Sequence, residues 1–301
     1  MLVVIGVTGL VLTSWAPDRP VEGLLARWAP SPSKFLELDG MRVHYRDEGP
    51  PDDPLPIVLL HGTSASLHTW QGWTDALAPG RRVIRMDLPG FGLTGPAPDG
   101  DYSMPAFVRF MQHFLDRLGV RRCVLAGNSL GGAIAWNVAV VEPERVVKLV
   151  LVDSGGQVMT PRSMPIGFQL AQMSWLQPIT SRVLPRSIVV ASLRDVYGDP
   201  ERVTPALVER YYELALREGN RASLAARFAA PQPDAMLIPR VKAPTLILWG
   251  GRDRLIPPEN GEKFEQQIAG SRRVVFPELG HVPHEEDPAR TVEEIKKFLA
   301  E

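Results

Sequence analysis

Ser129, at the centre of Gly127-Asn128-Ser129-Leu130-Gly131, is the residue of this chain best suited to nucleophilic chemistry. An apolar run, residues 123–126, leads into it, and Gly132-Ala133-Ile134-Ala135-Trp136 follows. The order reads as strand, tight turn and helix. Glycines two positions either side let the backbone turn where side chains would clash. The following helix aims its free N–H groups and positive end at the serine. A hydroxyl exposed beside such donors suits acyl transfer. A serine is a weak nucleophile and needs a base, itself oriented by a third group. His281, in Glu278-Leu279-Gly280-His281-Val282-Pro283, is the favoured base, and Asp253, in Trp249-Gly250-Gly251-Arg252-Asp253-Arg254, the favoured acid. Asp153, after another apolar run, is a rival acid, and His284 a rival base.

These groups need elements that bring them to one place. Residues 35–38 and 41–47 alternate in polarity around Asp39-Gly40, a hairpin signal. Residues 57–60, 83–86, 123–126, 147–152, 245–249 and 274–276 read as short buried strands. Residues 67–77, 104–118, 258–268 and 288–299, with the segment after Ser129, read as helices. The alternation predicts an α/β fold: a mostly parallel central sheet with helices on both faces. Asp253 and His281 would each follow a late strand, where ligands bind in open α/β sheets. Residues 155–239 break the rhythm. They read as several helices punctuated by proline, inserted after the sixth strand, and are expected to form a cap. The expected division is residues 34–154 and 240–301 as the core and 155–239 as the cap.

Composition narrows the function. The chain has 301 residues, 45% hydrophobic and 22% charged, with a formal net charge of −1. Nothing in that balance favours nucleic acid. The lone cysteine, Cys123, excludes an intrachain disulfide and reads as a small buried hydrophobe. No cysteine and histidine spacing points to a metal, and no glycine-rich loop to a phosphate.

The start of the chain is unusual. Residues 1–13, MLVVIGVTGLVLT, carry no charged side chain. A full span needs about 20 apolar residues, so residues 1–15 read as an anchor or signal remnant, with a membrane-associated or exported location favoured. Residues 16–33, with Pro17, Pro20, Pro30 and Pro32, read as a spacer.

Taken together, His61-Gly62-Thr63-Ser64, Asp87-Leu88-Pro89-Gly90-Phe91-Gly92, the turn at Ser129, Gly251-Arg252-Asp253 and Gly280-His281 resemble the α/β-hydrolase-fold superfamily, in its cap-bearing serine esterase and lipase branch. The resemblance covers residues 35–299. It implies a triad of Ser129, Asp253 and His281, with the backbone N–H groups of Thr63 and Leu130 as the oxyanion hole. It makes His61 a structural residue that holds its loop. Substrate contacts are expected from Ser64, Val282 and, in the cap, Trp175. Arg194, Arg210, Arg221 and Arg227 are the arginines able to reach inward from the cap.

The resemblance implies hydrolysis of small to medium hydrophobic carboxylic esters through an acyl-enzyme, with no cofactor and no metal. Relatives that open epoxides or displace halide carry aspartate where Ser129 stands. C–C bond hydrolases of ring-cleavage products, many with tryptophan where this chain has Val282, are an alternative, as is acyl transfer. A non-enzymatic ligand receptor is disfavoured by the intact serine, acid and histidine.

Overall fold

The computed structural model describes residues 14–158 and 160–301. Residues 1–13 of the expected anchor, residues 1–15, lie outside them. Eight strands form one sheet: β1 (Lys34–Leu38), β2 (Met41–Glu48), β3 (Ile57–Leu60), β4 (Val83–Met86), β5 (Cys123–Asn128), β6 (Val146–Val152), β7 (Thr245–Gly250) and β8 (Arg272–Phe276). Their spatial order is β1-β2-β4-β3-β5-β6-β7-β8. β1 and β2 form the expected antiparallel hairpin, with Asp39 and Gly40 both at positive φ. This is the backbone that a two-residue hairpin turn requires. From β4 to β8 the pairing is parallel.

The strand sequences explain the layering. In β3, Ile57 and Leu59 face one layer, and Val58 and Leu60 the other. Because successive side chains point to opposite faces, a run with no polar residue must be covered twice. One cover holds helices Met104–Arg117, Leu130–Val141 and Glu259–Gln267, and the other holds Gln71–Leu77 and Pro288–Ala300. Met104–Arg117 starts where Ser103 accepts a hydrogen bond from Ala106 N–H, a side-chain N-cap. It turns Phe107, Phe110, Met111, Phe114 and Leu115 onto the sheet. Cys123 is fully buried at the start of β5.

Between β6 and β7 the described residues hold no strand. Helices Ile166–Ala171, Gln177–Thr180, Arg186–Val196, Pro205–Ala215 and Asn220–Ala229 fill the interval. The stretch read as a spacer is a packed element instead. Helix Glu22–Trp28 buries Leu24 against Leu93 and Leu214, and Arg19 N–H donates to Leu216 O. The prolines that block regular pairing sit outside this helix, so they bound it without preventing it. No helix among the described residues is long and apolar enough to cross a membrane.

Candidate active site

The turn at Ser129 is forced by close packing. Ser129 has φ 54° and ψ −115°, a conformation L residues avoid. Helix Leu130–Val141 starts in close contact with β5 and β3, leaving no room for side chains at Gly127 and Gly131. A Cβ on Gly127 would lie 2.1 Å from Gly131 O, and one on Gly131 would lie 2.2 Å from Leu60 O. Ser129 N–H donates to Val152 O, at the end of the neighbouring strand. The strain lifts the serine above the sheet at the N-terminus of a helix buried from Leu130 to Ala139.

The ends of β7 and β8 supply its partners. Asp253 follows β7, is buried, and accepts Leu255 N–H and Ile256 N–H on Oδ1, each at 2.9 Å. Its Oδ2 lies 2.7 Å from His281 Nδ1. That contact leaves Nε2 as the free ring nitrogen. The loop bearing His281 is tied to the turn: Asn128 Nδ2 donates to His281 O at 2.9 Å and to Val152 O at 3.1 Å. Ser129 and His281 line the same cavity. The structure thus brings Ser129, Asp253 and His281 to one corner.

The rivals have different surroundings. Asp153 is fully buried, and one of its carboxylate oxygens lies within 4.8 Å of a carboxylate oxygen of Asp253 and a ring nitrogen of His281. Its Oδ1 accepts Gly250 N–H at 2.9 Å, and Oδ2 has no partner among the described residues. Burial, then the neighbouring Asp253 charge, pushes its carboxyl well above the usual range. A carboxyl pushed toward its neutral form is a poorer partner for a charged imidazole than Asp253, which meets His281 Nδ1 directly. His284 is fully buried at 4.0 Å between ring centroids from Trp70, with Nε2 3.1 Å from Thr69 Oγ1. Burial lowers its pKa to about 3, so it stays neutral.

The loop facing Ser129 is held from behind. His61 is fully buried, with Nδ1 2.7 Å from Gly62 O, and its Nε2 accepts Leu88 N–H at 2.9 Å. Asp87 accepts the N–H groups of Leu67 and Leu93 and meets His44 Nδ1 at 2.7 Å. A Cβ on Gly62 would lie 3.1 Å from Ser129 Cβ, so the loop reaches the serine closely. Thr63, Ser64 and Val282 line the cavity. Neither Thr63 N–H nor Leu130 N–H donates a hydrogen bond among the described residues. Both remain available to an oxyanion.

The cavity, about 190 Å³, runs from this corner into the cap. Phe168, Leu184, Ile188 and Leu224 are among its apolar walls. Trp175, expected at the substrate, does not line it and is 75% exposed. The sequence shows a helical segment there, but not which way a short helix faces. Of the four cap arginines, only Arg221 lines the cavity. Its Nε lies 3.2 Å from Asp18 Oδ1, and its Nη1 donates to Thr180 O at 3.2 Å. Arg210 is spent on Glu285, Arg227 is buried away from the cavity, and Arg194 is exposed.

Two groups near the base escaped sequence reasoning. Glu285 and Glu286 sit on the short helix Pro283–Glu286, directly after His281 and Val282. Glu285 pairs with Arg210 and accepts from Tyr211 Oη at 2.9 Å. Burial opposes its charge, but Arg210 outweighs this and holds the carboxyl below its usual range. Glu286 accepts the N–H groups of Gly198, Asp199 and Gly280. In sequence both look like a solvated acidic pair, and nothing local marks them as buried.

Comparison with known proteins agrees with this geometry. A family model described as alpha/beta hydrolase fold matches residues 56–288. The chain is 31% identical over 285 residues to a 2-hydroxymuconate semialdehyde hydrolase of Pseudomonas sp. (strain CF600), covering 91% of this chain and 95% of that one. A bacterial membrane phospholipase A superposes with a TM-score of 0.75 at 26% identity, covering 89% of this chain and 85% of that chain. A thermophilic esterase from Thermogutta terrifontis superposes with a TM-score of 0.73 at 26% identity, covering 90% and 98%. With its sheet order, its turn at Ser129 and this match over most of its length, the chain belongs to the alpha/beta hydrolase fold family and is a hydrolase.

Proposed function

We propose that this hydrolase cleaves carboxylic esters of small to medium hydrophobic substrates. Ser129 Oγ attacks the ester carbonyl while His281 Nε2 takes its proton. Asp253 fixes the imidazole through Nδ1 and stabilises its charged form. The N–H groups of Thr63 and Leu130 hold the oxyanion, each worth about 2.7–4 kcal/mol of barrier. His281 then protonates the leaving alcohol, and water, deprotonated by the same ring, releases the acid from Ser129.

The observation that carries this reading is the charge content of the cavity. Its one arginine, Arg221, is already engaged by Asp18 and Thr180, and the remaining walls are largely apolar. A neutral ester fits such walls, whereas burying an unpaired carboxylate there is costly. A second reading is hydrolysis of a C–C bond, favoured by the likeness to the 2-hydroxymuconate semialdehyde hydrolase. Val282 beside the base and the engaged Arg221 weigh against it. Side-by-side rates on p-nitrophenyl butyrate and on a ring-cleavage dienoate decide between them. Turnover of the dienoate alone would sink the ester reading, and competing alcohols in the ester assay expose acyl transfer. Membrane association through residues 1–15 belongs to the same proposal, since an apolar run of that kind is costly to leave in water.

A further inference from the structure

We propose that the outer face of residues 165–184, together with Trp15, docks on a lipid bilayer with anionic headgroups. Trp175 and Ile179 are four residues apart in a continuous helical run, Ser174–Leu176 followed by Gln177–Thr180, and so share one face. Arg182 N–H and Val183 N–H both donate to Ile179 O, so the backbone turns directly from Ile179 into the segment that Trp15 bridges. Trp15 bridges Val183, with Ala16 N–H donating to Arg182 O and Leu184 N–H to Ser14 O. The result is one row in which Trp175 is 75%, Ile179 53% and Trp15 56% exposed. Large apolar side chains in a contiguous exposed row mark an interaction surface.

Charge and connectivity favour a membrane as the occupant. Residues 155–194 contain no aspartate or glutamate and four arginines. Arg162 and Arg186 pair with Glu259 and Glu209. Arg182, exposed beside Trp15, has no ion-pair partner among the described residues. Tryptophan flanked by free arginine is the composition that settles at the level of lipid headgroups. The apolar sequence of residues 1–13 leads directly into Ser14 and Trp15, so it reaches the molecule at this row. The inner side of the same segment, through Phe168, Leu170, Val183 and Leu184, lines the cavity above Ser129, and Met173 belongs to both surfaces. Docking here sets the cavity wall against the acyl chains. That consequence, a lipid-derived ester reaching Ser129 from the bilayer, rests on the ester reading. The docking itself does not.

The test is flotation of the full chain with vesicles of phosphatidylcholine and phosphatidylglycerol. The wild type and Ser129→Ala are expected to float equally, which separates docking from chemistry. The triple variant Trp15→Ser/Trp175→Ser/Ile179→Ser is expected to lose at least about tenfold in partitioning, with hydrolysis of soluble p-nitrophenyl acetate unchanged. Should that variant fold poorly, Arg182→Glu serves in its place. It is expected to weaken flotation on the anionic vesicles at low salt and not on phosphatidylcholine alone. Wild-type protein that stays with the lipid-free fraction, or row variants that float like wild type, would overturn the proposal. So would a wild-type dimer that the triple variant dissociates, because the row would then join two copies of the chain.

Discussion

The sheet end and the cap place their residues by different means. At the sheet end, position comes from backbone. Ser129 sits where it does because Gly127 and Gly131 admit no side chain, and Asp253 and His281 follow the ends of parallel strands. In the cap, position comes from side chains reaching across to the core, such as Arg210 and Tyr211 on Glu285, or Arg221 on Asp18. Backbone-imposed geometry repeats as a motif because few residues satisfy it. Side-chain ties can be made in many ways and leave no fixed spacing. The difference predicts that the sheet end controls rate, whereas the cap controls stability and choice of substrate.

The sharpest test is Ser129→Ala, expected to lower kcat/KM for p-nitrophenyl butyrate by roughly 10⁶-fold and to abolish fluorophosphonate labelling. A smaller loss would mean that the corner is not the nucleophilic site. Next, Asp253→Asn is expected to cost roughly 10⁴-fold through the wrong imidazole tautomer. Asp153→Asn is expected to stay within about tenfold, because an amide keeps the neutral hydrogen-bonding role of a protonated acid. Equal losses in the two variants would erase the distinction drawn between these carboxyls.

Glu285→Gln moves the test to the cap boundary. It strands Arg210 in a half-buried site and is expected to cost about 1–3 kcal/mol of stability, read as a lower urea midpoint, with a far smaller loss of rate than at Ser129. A variant as stable as wild type would show that this tie is idle. The smallest effect is titration of His284. Its folded pKa is about 3, below the ordinary 6.5, so the unfolded chain takes up the proton first as pH falls. Its stabilisation is therefore complete above pH 6.5 and lost progressively toward pH 3. Between pH 7 and 5.5 this amounts to about 1 kcal/mol. His284→Gln should reduce the change in urea midpoint over that interval, and an unchanged slope would assign it to other groups.

Much of the core was legible because its signals are local. Apolar runs marked β3 to β7, Asp39-Gly40 marked the hairpin, and the spacing of apolar residues in 104–118 marked a helix. The corner was legible because Ser129, Asp253 and His281 each follow a strand, so their convergence needs only the parallel order of the sheet. The cap resisted for a physical reason. Its helices are short, and a single turn such as Gln177–Thr180 carries too few residues to show which face is buried, so Trp175 was set inward. Residues 16–33 misled in a related way. Proline density describes what a segment cannot pair with, not that Leu24 will pack beside Leu93 and Leu214.

Glu286 gathers the N–H groups of Gly198, Asp199 and Gly280 around one carboxylate, and His281 N–H donates to Val196 O. The C-terminal end of helix Arg186–Val196 and the loop carrying the base are therefore a single mechanical part. A substrate that entered by prising the cap away at that end would drag His281 off its aspartate and disarm the enzyme as it arrived. Cap movement compatible with catalysis has to leave that end in place, with Val196 and Gly198 as the fixed jamb of the door.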